Sequence, residues 1–291
     1  MINALTVDVE DYFHVQAFAG VIRRADWWRY PTRVERNTYR LLEILASRRI
    51  RATFFVLGWV ARRCPRLLRD IFDADHEIGC HGYAHQMIGR GSEKEFRQDI
   101  RRSKAIIEDI VGAEVESYRA PSYSITASTL WALDVLSEEG FRRDSSIFPV
   151  VHDHYGIPRA PRFPHYRLVR NGKRIAEFPP STLRAYGVNI PVAGGGYLRL
   201  LPYGVTAWAI RHINHKEAQP ALLYLHPWEI DPEQPRISAP WRSRFRHYHS
   251  LHSTEDKLVR LLRDFSWGSM SEVLSFSLER PNSLHEAPDG L

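Results

Sequence analysis

The sequence predicts an α/β fold built on a mostly parallel sheet, and three observations predict it. Apolar, β-branched runs alternate with amphipathic helical patterns along the chain, which implies crossover connections and parallel neighbours. No clean linker interrupts that alternation, so a single domain over residues 1–280 is expected. The polar residues with chemical potential fall where the strand patterns stop, which is the edge where parallel α/β folds bind ligands.

Ile2 to Val9 reads as the first strand, followed by a helix over 33–48. Residues 51–57 form a second strand ended by Gly58, and 76–80 a third. Residues 93–111 carry a long amphipathic helical pattern, 114–119 a fourth strand, 127–139 a helix, and 141–144 a short fifth strand. Residues 148–203, rich in Pro, Gly and Tyr, break the rhythm and read as an insertion beside the site. The pattern resumes with a helix at 205–215, a strand at 221–225 and a helix at 254–264, and 281–291 reads as a flexible tail.

A chain of 291 residues with 44% hydrophobic content is ample for a sizeable core. Cys64 and Cys80 are too few for a disulfide scaffold and fit a reducing compartment. Neither a signal-peptide pattern nor an apolar run of roughly 20 residues is seen, so a soluble cytoplasmic protein is expected. The net charge of +6 is spread over arginine pairs, with the densest basic and aromatic stretch at 241–249. Such interleaving suits nucleic acid, but a solvated basic rim is the more ordinary reading, and nucleic acid is not an expected partner. A surface for anionic lipid, with peripheral association at the inner face of a membrane, lies between the two. Oligomeric state is not legible.

Five strand ends carry candidate chemistry. Asp8-Val9-Glu10-Asp11 closes the first strand, and alternation puts Asp8 and Glu10 on one side with Asp11 turned away. His81 and His85 follow the third strand at a spacing that brings two imidazoles onto one face of a helical turn, suiting one divalent ion. Arg119 leaves the fourth strand before Pro121, Ser122 and Tyr123, where an arginine can clamp a carboxylate. Asp144 ends the fifth strand and could orient a histidine, and His226 ends the buried-looking strand at 221–225. Each cluster alone has a bland reading: an acidic turn, a chance histidine pair, a surface arginine, a satisfied core histidine. Together they supply metal ligands, a free carboxylate and a separate histidine, a sufficient set for amide or ester hydrolysis.

These residues, with Thr6 to His14, Gly194-Gly195-Gly196-Tyr197, His226-Pro227-Trp228-Glu229 and Arg246-His247-Tyr248-His249, resemble the polysaccharide deacetylase family, the NodB-homology or carbohydrate esterase 4 group. Within it the chain is similar to the exopolysaccharide-locus (PEP-CTERM/XrtA-associated) branch, whose C-terminal extension would begin near residue 227 here. The resemblance implies a distorted (β/α) barrel of about seven parallel strands, and removal of N-acetyl groups from amino sugars of an exopolysaccharide or its precursor. It assigns Asp8 as general base, Arg119 as its partner, His226 as acid, and Asp144 as the carboxylate tuning that acid. His81 and His85 become ligands of one divalent ion, for which zinc suits best. Leu223 and Leu225 would line the acetyl pocket, and the Ser122 N–H would sit at the oxyanion hole beside Tyr123. Arg184, Tyr197 and Trp228 are expected to read the sugar. The family's second aspartate is Val9 here, so Glu10 becomes the third ligand, with Asp11 in reserve. Ser122 intervenes where an aromatic residue usually follows the proline, and Ile147 replaces a frequent tryptophan. Competing readings are hydrolysis of a small cyclic amide, as in allantoinase-like relatives, and a non-catalytic glycan-binding protein. The aromatics Tyr155, Tyr166, Tyr186, Tyr197 and Trp228 favour a sugar chain.

Overall fold

The computed structural model describes residues 1–153, 155–192 and 194–278, so the expected tail at 281–291 lies outside the described residues. The first half is a run of strand–helix units: β1 (Ile2–Val9), α1 (Val34–Ala46), β2 (Thr53–Val56), α2 (Gly58–Arg63), α3 (Pro65–Asp73) and β3 (Glu77–Cys80). It continues with α4 (Glu93–Val111), β4 (Ser117–Tyr118), α5 (Trp131–Glu138) and β5 (Arg143–Asp144). Helix α4 starts at a capping box, Ser92 with Glu95, and stops at Gly112 with φ +68°. That punctuation explains why its ends match the sequence pattern.

The region expected only to cap the site also builds sheet. It contributes β6 (His165–Leu168), β7 (Arg174–Glu177), the separate hairpin β8 (Thr182–Ala185) with β9 (Val188–Pro191), and α6 (Gly195–Leu200). Then come α7 (Tyr203–His215), β10 (Leu222–Leu225), α8 (Trp241–Tyr248), α9 (Thr254–Asp264), β11 (Ser266–Gly268) and α10 (Met270–Leu278).

One nine-stranded sheet runs in the order β10-β1-β2-β3-β4-β5-β7-β6, with β11 also on β1, and every pairing is parallel except β6 with β7. The sheet curls toward a barrel without a ladder between β7 and β10. The chain after β7 spans that gap: the Phe178 N–H donates to the Asp144 carbonyl, Ser181 exchanges bonds with Leu222, and Gly194 bridges to Tyr224. A Cβ on Gly194 would meet the Tyr224 carbonyl at 2.3 Å, and one on Gly195 would meet the Tyr224 ring at 2.7 Å. The Gly-Gly-Gly-Tyr stretch is thus the segment that lies flat on β10.

Alternation sorts each strand. Leu5, Val7, Val9, Leu223 and Leu225 join the core between sheet and helices, whereas Ala4, Phe55, Leu222 and Tyr224 face the barrel interior. A third, aromatic cluster of Tyr12, Phe13, Phe18, Trp27 and Trp228 packs the loop after β1 against the turn after β10.

Candidate active site

Asp8, Glu10, His81, His85, Arg119 and His226 converge at the carboxyl ends of β1, β3, β4 and β10. The first turn does much of the placing. Strand β1 stops at Val9, and the Glu10 N–H donates back to the Asp8 carbonyl at 2.9 Å. The chain bends there, so the Asp11 carboxylate leaves the cluster. It accepts from the Tyr12 N–H at 3.0 Å, the Arg33 N–H at 2.7 Å and the Val34 N–H at 3.0 Å, tying the loop to the start of α1. Asp11, the reserve ligand, is therefore corrected to a structural anchor.

One ligand atom each from Glu10, His81 and His85 lies within 4.8 Å of the others. The histidine pair does not sit on a helical turn, as its spacing suggested. It sits on an irregular loop in which Gly82 has φ +71° and His85 φ +50°. A Cβ on Gly82 would press on the Asp99 carboxylate at 3.0 Å. The His81 Nδ1–H donates to the Arg119 carbonyl at 2.8 Å, which leaves Nε2 free as a ligand. Glu10 Oε2 is 3.2 Å from His85 Nε2 and is buried without a hydrogen bond among the described residues. Burial pushes His81 down and His85 down to about 4, so both rings are neutral at neutral pH. Burial raises the Glu10 carboxyl, yet His85 and His226 outweigh it and hold it well below the usual range. Two neutral imidazoles and one carboxylate, whose Oε2 is the buried atom without a hydrogen-bond partner among the described residues, suit a divalent ion.

Arg119 is fully buried and stacks over Phe55 at 4.3 Å. Its Nη1 donates to Asp8 Oδ1 at 2.7 Å and to Thr6 Oγ1 at 2.8 Å, and its Nε and Nη2 bond Ser145. Asp8 Oδ2 is left facing His226 Nε2 at 3.8 Å, and that same nitrogen is 3.0 Å from Glu10 Oε1.

The carboxylate behind His226 is Glu229. Its Oε2 lies 3.3 Å from His226 Nδ1 and accepts the His226 backbone N–H at 3.1 Å. Its Oε1 accepts from Arg199 Nε at 2.8 Å. Burial would lower His226, but Glu10 and Glu229 raise it to about 10. Asp144, expected in this place, is corrected: it accepts from the Ser146 hydroxyl at 2.6 Å and pairs with Glu177, its register partner on β7. Burial and Asp144 together raise Glu177 well above its ordinary range.

A cleft of about 410 Å³ opens over the cluster. Ser122, Tyr123, Tyr197 and Trp228 line it as expected, and Ser122 and Tyr123 both take positive φ, +53° and +52°. Tyr224 lines it in place of Leu223 and Leu225, which alternation turns outward. Arg184 is corrected too: it is exposed on β8, outside the cleft wall. Tyr186 is fully exposed. Tyr155, one of the aromatics expected to favour a sugar chain, completes the wall with His247, which was given no role and is stacked on Trp228 at 4.1 Å while Trp228 stacks on His226 at 5.1 Å. The signal for Glu229 was its place three residues after His226, a turn-capping spacing.

Residues 24–141 match the model of the polysaccharide deacetylase family. The chain carries a polysaccharide deacetylase domain. Residues 145–275 match a domain of unknown function, DUF3473. The deacetylase match includes His81, His85 and Arg119, Asp8 and Glu10 precede it, and His226 and Glu229 fall in the second match; the one sheet brings all of them together. A peptidoglycan-N-acetylglucosamine deacetylase of Bacillus cereus is 27% identical over 37% of this chain and 44% of its own length. A chitooligosaccharide deacetylase of Sinorhizobium fredii is 34% identical over 34% of this chain and 44% of its own. The match thus spans under half the length of these curated relatives. In fold, a Mycobacterium smegmatis protein assigned as a polysaccharide deacetylase superposes with a TM-score of 0.61 at 20% identity, covering 94% of this chain and 88% of that one. The peptidoglycan deacetylase PdaC of Bacillus subtilis gives 0.52 at 15% identity, covering 96% and 92%. A carbohydrate esterase 4 pseudoenzyme of Bacillus anthracis gives 0.50 at 15% identity, covering 94% and 65%, so the deacetylase fold alone does not decide activity. Among the described residues no helix is long and apolar enough to cross a membrane.

Proposed function

We propose that this deacetylase domain hydrolyses N-acetyl groups of amino sugars in a glycan, with the exopolysaccharide of its resemblance, or a precursor, as substrate. The observation that carries the reading is the Glu10–His81–His85 cluster, its three ligand atoms within 4.8 Å, set beside an Arg119-clamped Asp8 and a separate histidine. A divalent ion at the cluster, zinc best matching its donors, would polarise the acetyl carbonyl and acidify the attacking water. Asp8 Oδ2, free of the Arg119 clamp, is the atom that takes the water's proton. Arg119 keeps that carboxylate ionised and aimed. His226 Nε2 delivers a proton to the departing amine, and Glu229 fixes the ring and stabilises its charged form. The aromatic wall of Tyr155, Tyr197 and Trp228 gives apolar faces for pyranose rings.

The test is acetate release from N-acetylated chitooligosaccharides by wild type and by His81→Ala, with metal content measured on both. The reading expects metal and acetate release to be lost together. Equal metal content in the two proteins, or full activity in the variant, contradicts it.

A further inference from the structure

A second cavity, of about 230 Å³, adjoins the cleft and shares Val15, Gln16 and His85 with it. Its wall carries Arg23, Arg24 and Arg90 and no carboxylate. Arg23 is already paired with Asp26 at 2.8 Å. Arg24 gives one N–H to the His85 carbonyl at 3.1 Å and, itself exposed, lines the mouth of the cavity with its side chain. Arg24 and Arg90 thus line one concave surface with no acid in its wall, the Asp99 carboxylate acting on Arg24 from outside it.

His14 supplies a third, independent sign. Its Nδ1 accepts the Asp11 backbone N–H at 2.9 Å, which fixes the tautomer and puts the hydrogen on Nε2. The ring lines this cavity, is only 3% exposed, and its Nε2 has no hydrogen-bond partner among the described residues. A buried N–H donor left unmade is unfavourable, so the site wants an acceptor there. Donors without acceptors, arranged around a pocket that opens beside the metal-ligand cluster, describe an anion site.

We infer that this cavity binds an anionic group of the substrate, a sugar carboxylate or a phosphate ester, on a residue adjoining the one that is deacetylated. The inference rests on the proposed function for the word substrate, but not for the binding itself. The guanidinium fork of Arg24 and the charge of Arg90 hold the anion's oxygens, and the His14 Nε2–H donates to one of them.

Calorimetric titration of the metal-loaded protein with glucuronic acid and, separately, glucose 1-phosphate tests it. Wild type should bind at least one, and whichever binds more tightly identifies the carboxylate or the phosphate as the natural group. Arg24→Gln/Arg90→Gln should weaken that binding by about tenfold or more at equal metal content, which removes direct anion–metal contact as the cause. Should the double variant lose its metal through the His85 carbonyl contact, Arg90→Gln alone reads the pocket and should still weaken binding. Wild type that binds neither probe, or variants that bind as well as wild type, overturn the inference. Wild type that binds glucuronate yet releases no acetate from any acetylated glycan supports the pocket and removes the deacetylase reading.

Discussion

Replacing Glu229 by glutamine perturbs the acid histidine with the least change of shape. The charge is 3.3 Å from His226 Nδ1 and fully buried. At an effective dielectric near 20, a unit charge at that range is worth about 5 kcal/mol gross, most of it offset by the cost of burying the pair. A net fall of about 1–2 pKa units in His226 is the expected remainder. A divalent ion at Glu10 removes part of the other carboxylate's pull, so the basic limb of the kcat/KM profile should sit below the value of about 10 found without it. Glu229→Gln should move that limb further down by about 1–2 pH units and lower kcat by about 10- to 100-fold at wild-type metal content. Arg199, only 4% exposed, loses its carboxylate partner and keeps its bonds to the Arg246 and His247 carbonyls, so a drop in melting temperature is expected as well. Asp144→Asn should leave the limb in place, because Asp144 is bonded to Ser146 and Glu177. A Glu229→Gln profile that overlays wild type, with Asp144→Asn shifting instead, would refute the assignment.

The two candidate third ligands separate cleanly in elemental analysis. Glu10→Gln should lose the metal, whereas Asp11→Asn should keep it and lose about 1–2 kcal/mol of stability by denaturant titration, since three backbone N–H groups lean on that carboxylate. Arg119→Lys should retain metal and lose about 10²- to 10³-fold in kcat, because lysine keeps the charge but not the fork that spans Asp8, Thr6 and Ser145. Near-normal turnover would mean that something else aims Asp8. Acid stability has a sign set by buried histidines. His76 is pushed by burial to about 4, below its unfolded 6.5, so the unfolded chain binds more protons between those values and stability is lost as pH falls through them. The melting-temperature drop from pH 7 to pH 4.5 should be smaller in His76→Gln than in wild type, and an equal drop would remove His76 from the account.

Legibility in the sequence followed periodicity. The ends of α4 were readable because caps and an amphipathic stripe coincide there, those of α9 from its stripe with acids in the first turn and Arg263 in the last, and the place of Glu10 beside Asp8 because polar and apolar residues alternate from Leu5 to Glu10. Strand β10 was not, since Leu-Leu-Tyr-Leu is apolar on both faces and carries no inside–outside signal against which the resemblance's placing of Leu223 and Leu225 could be checked; Tyr224 lines the cleft instead. Asp144 was misplaced because the fifth strand end fixes its backbone but not its partner. The partner, Glu177, arrives from β7 inside a stretch read as irregular. Arg199 and His247 reach the site through α6 and α8, across long separations that no local pattern encodes. Strand β11 spans only Ser266–Gly268, too short for a period to show.

The central claim is that one ion at Glu10, His81 and His85 makes this chain an amide hydrolase. The most direct measurement is acetate release from an N-acetylated chitooligosaccharide by chelator-stripped protein as zinc is returned in measured equivalents. The account predicts no acetate before addition and a linear rise that stops at one equivalent per chain. Full activity in the stripped protein, or no activity at any occupancy on any acetylated glycan, would contradict it.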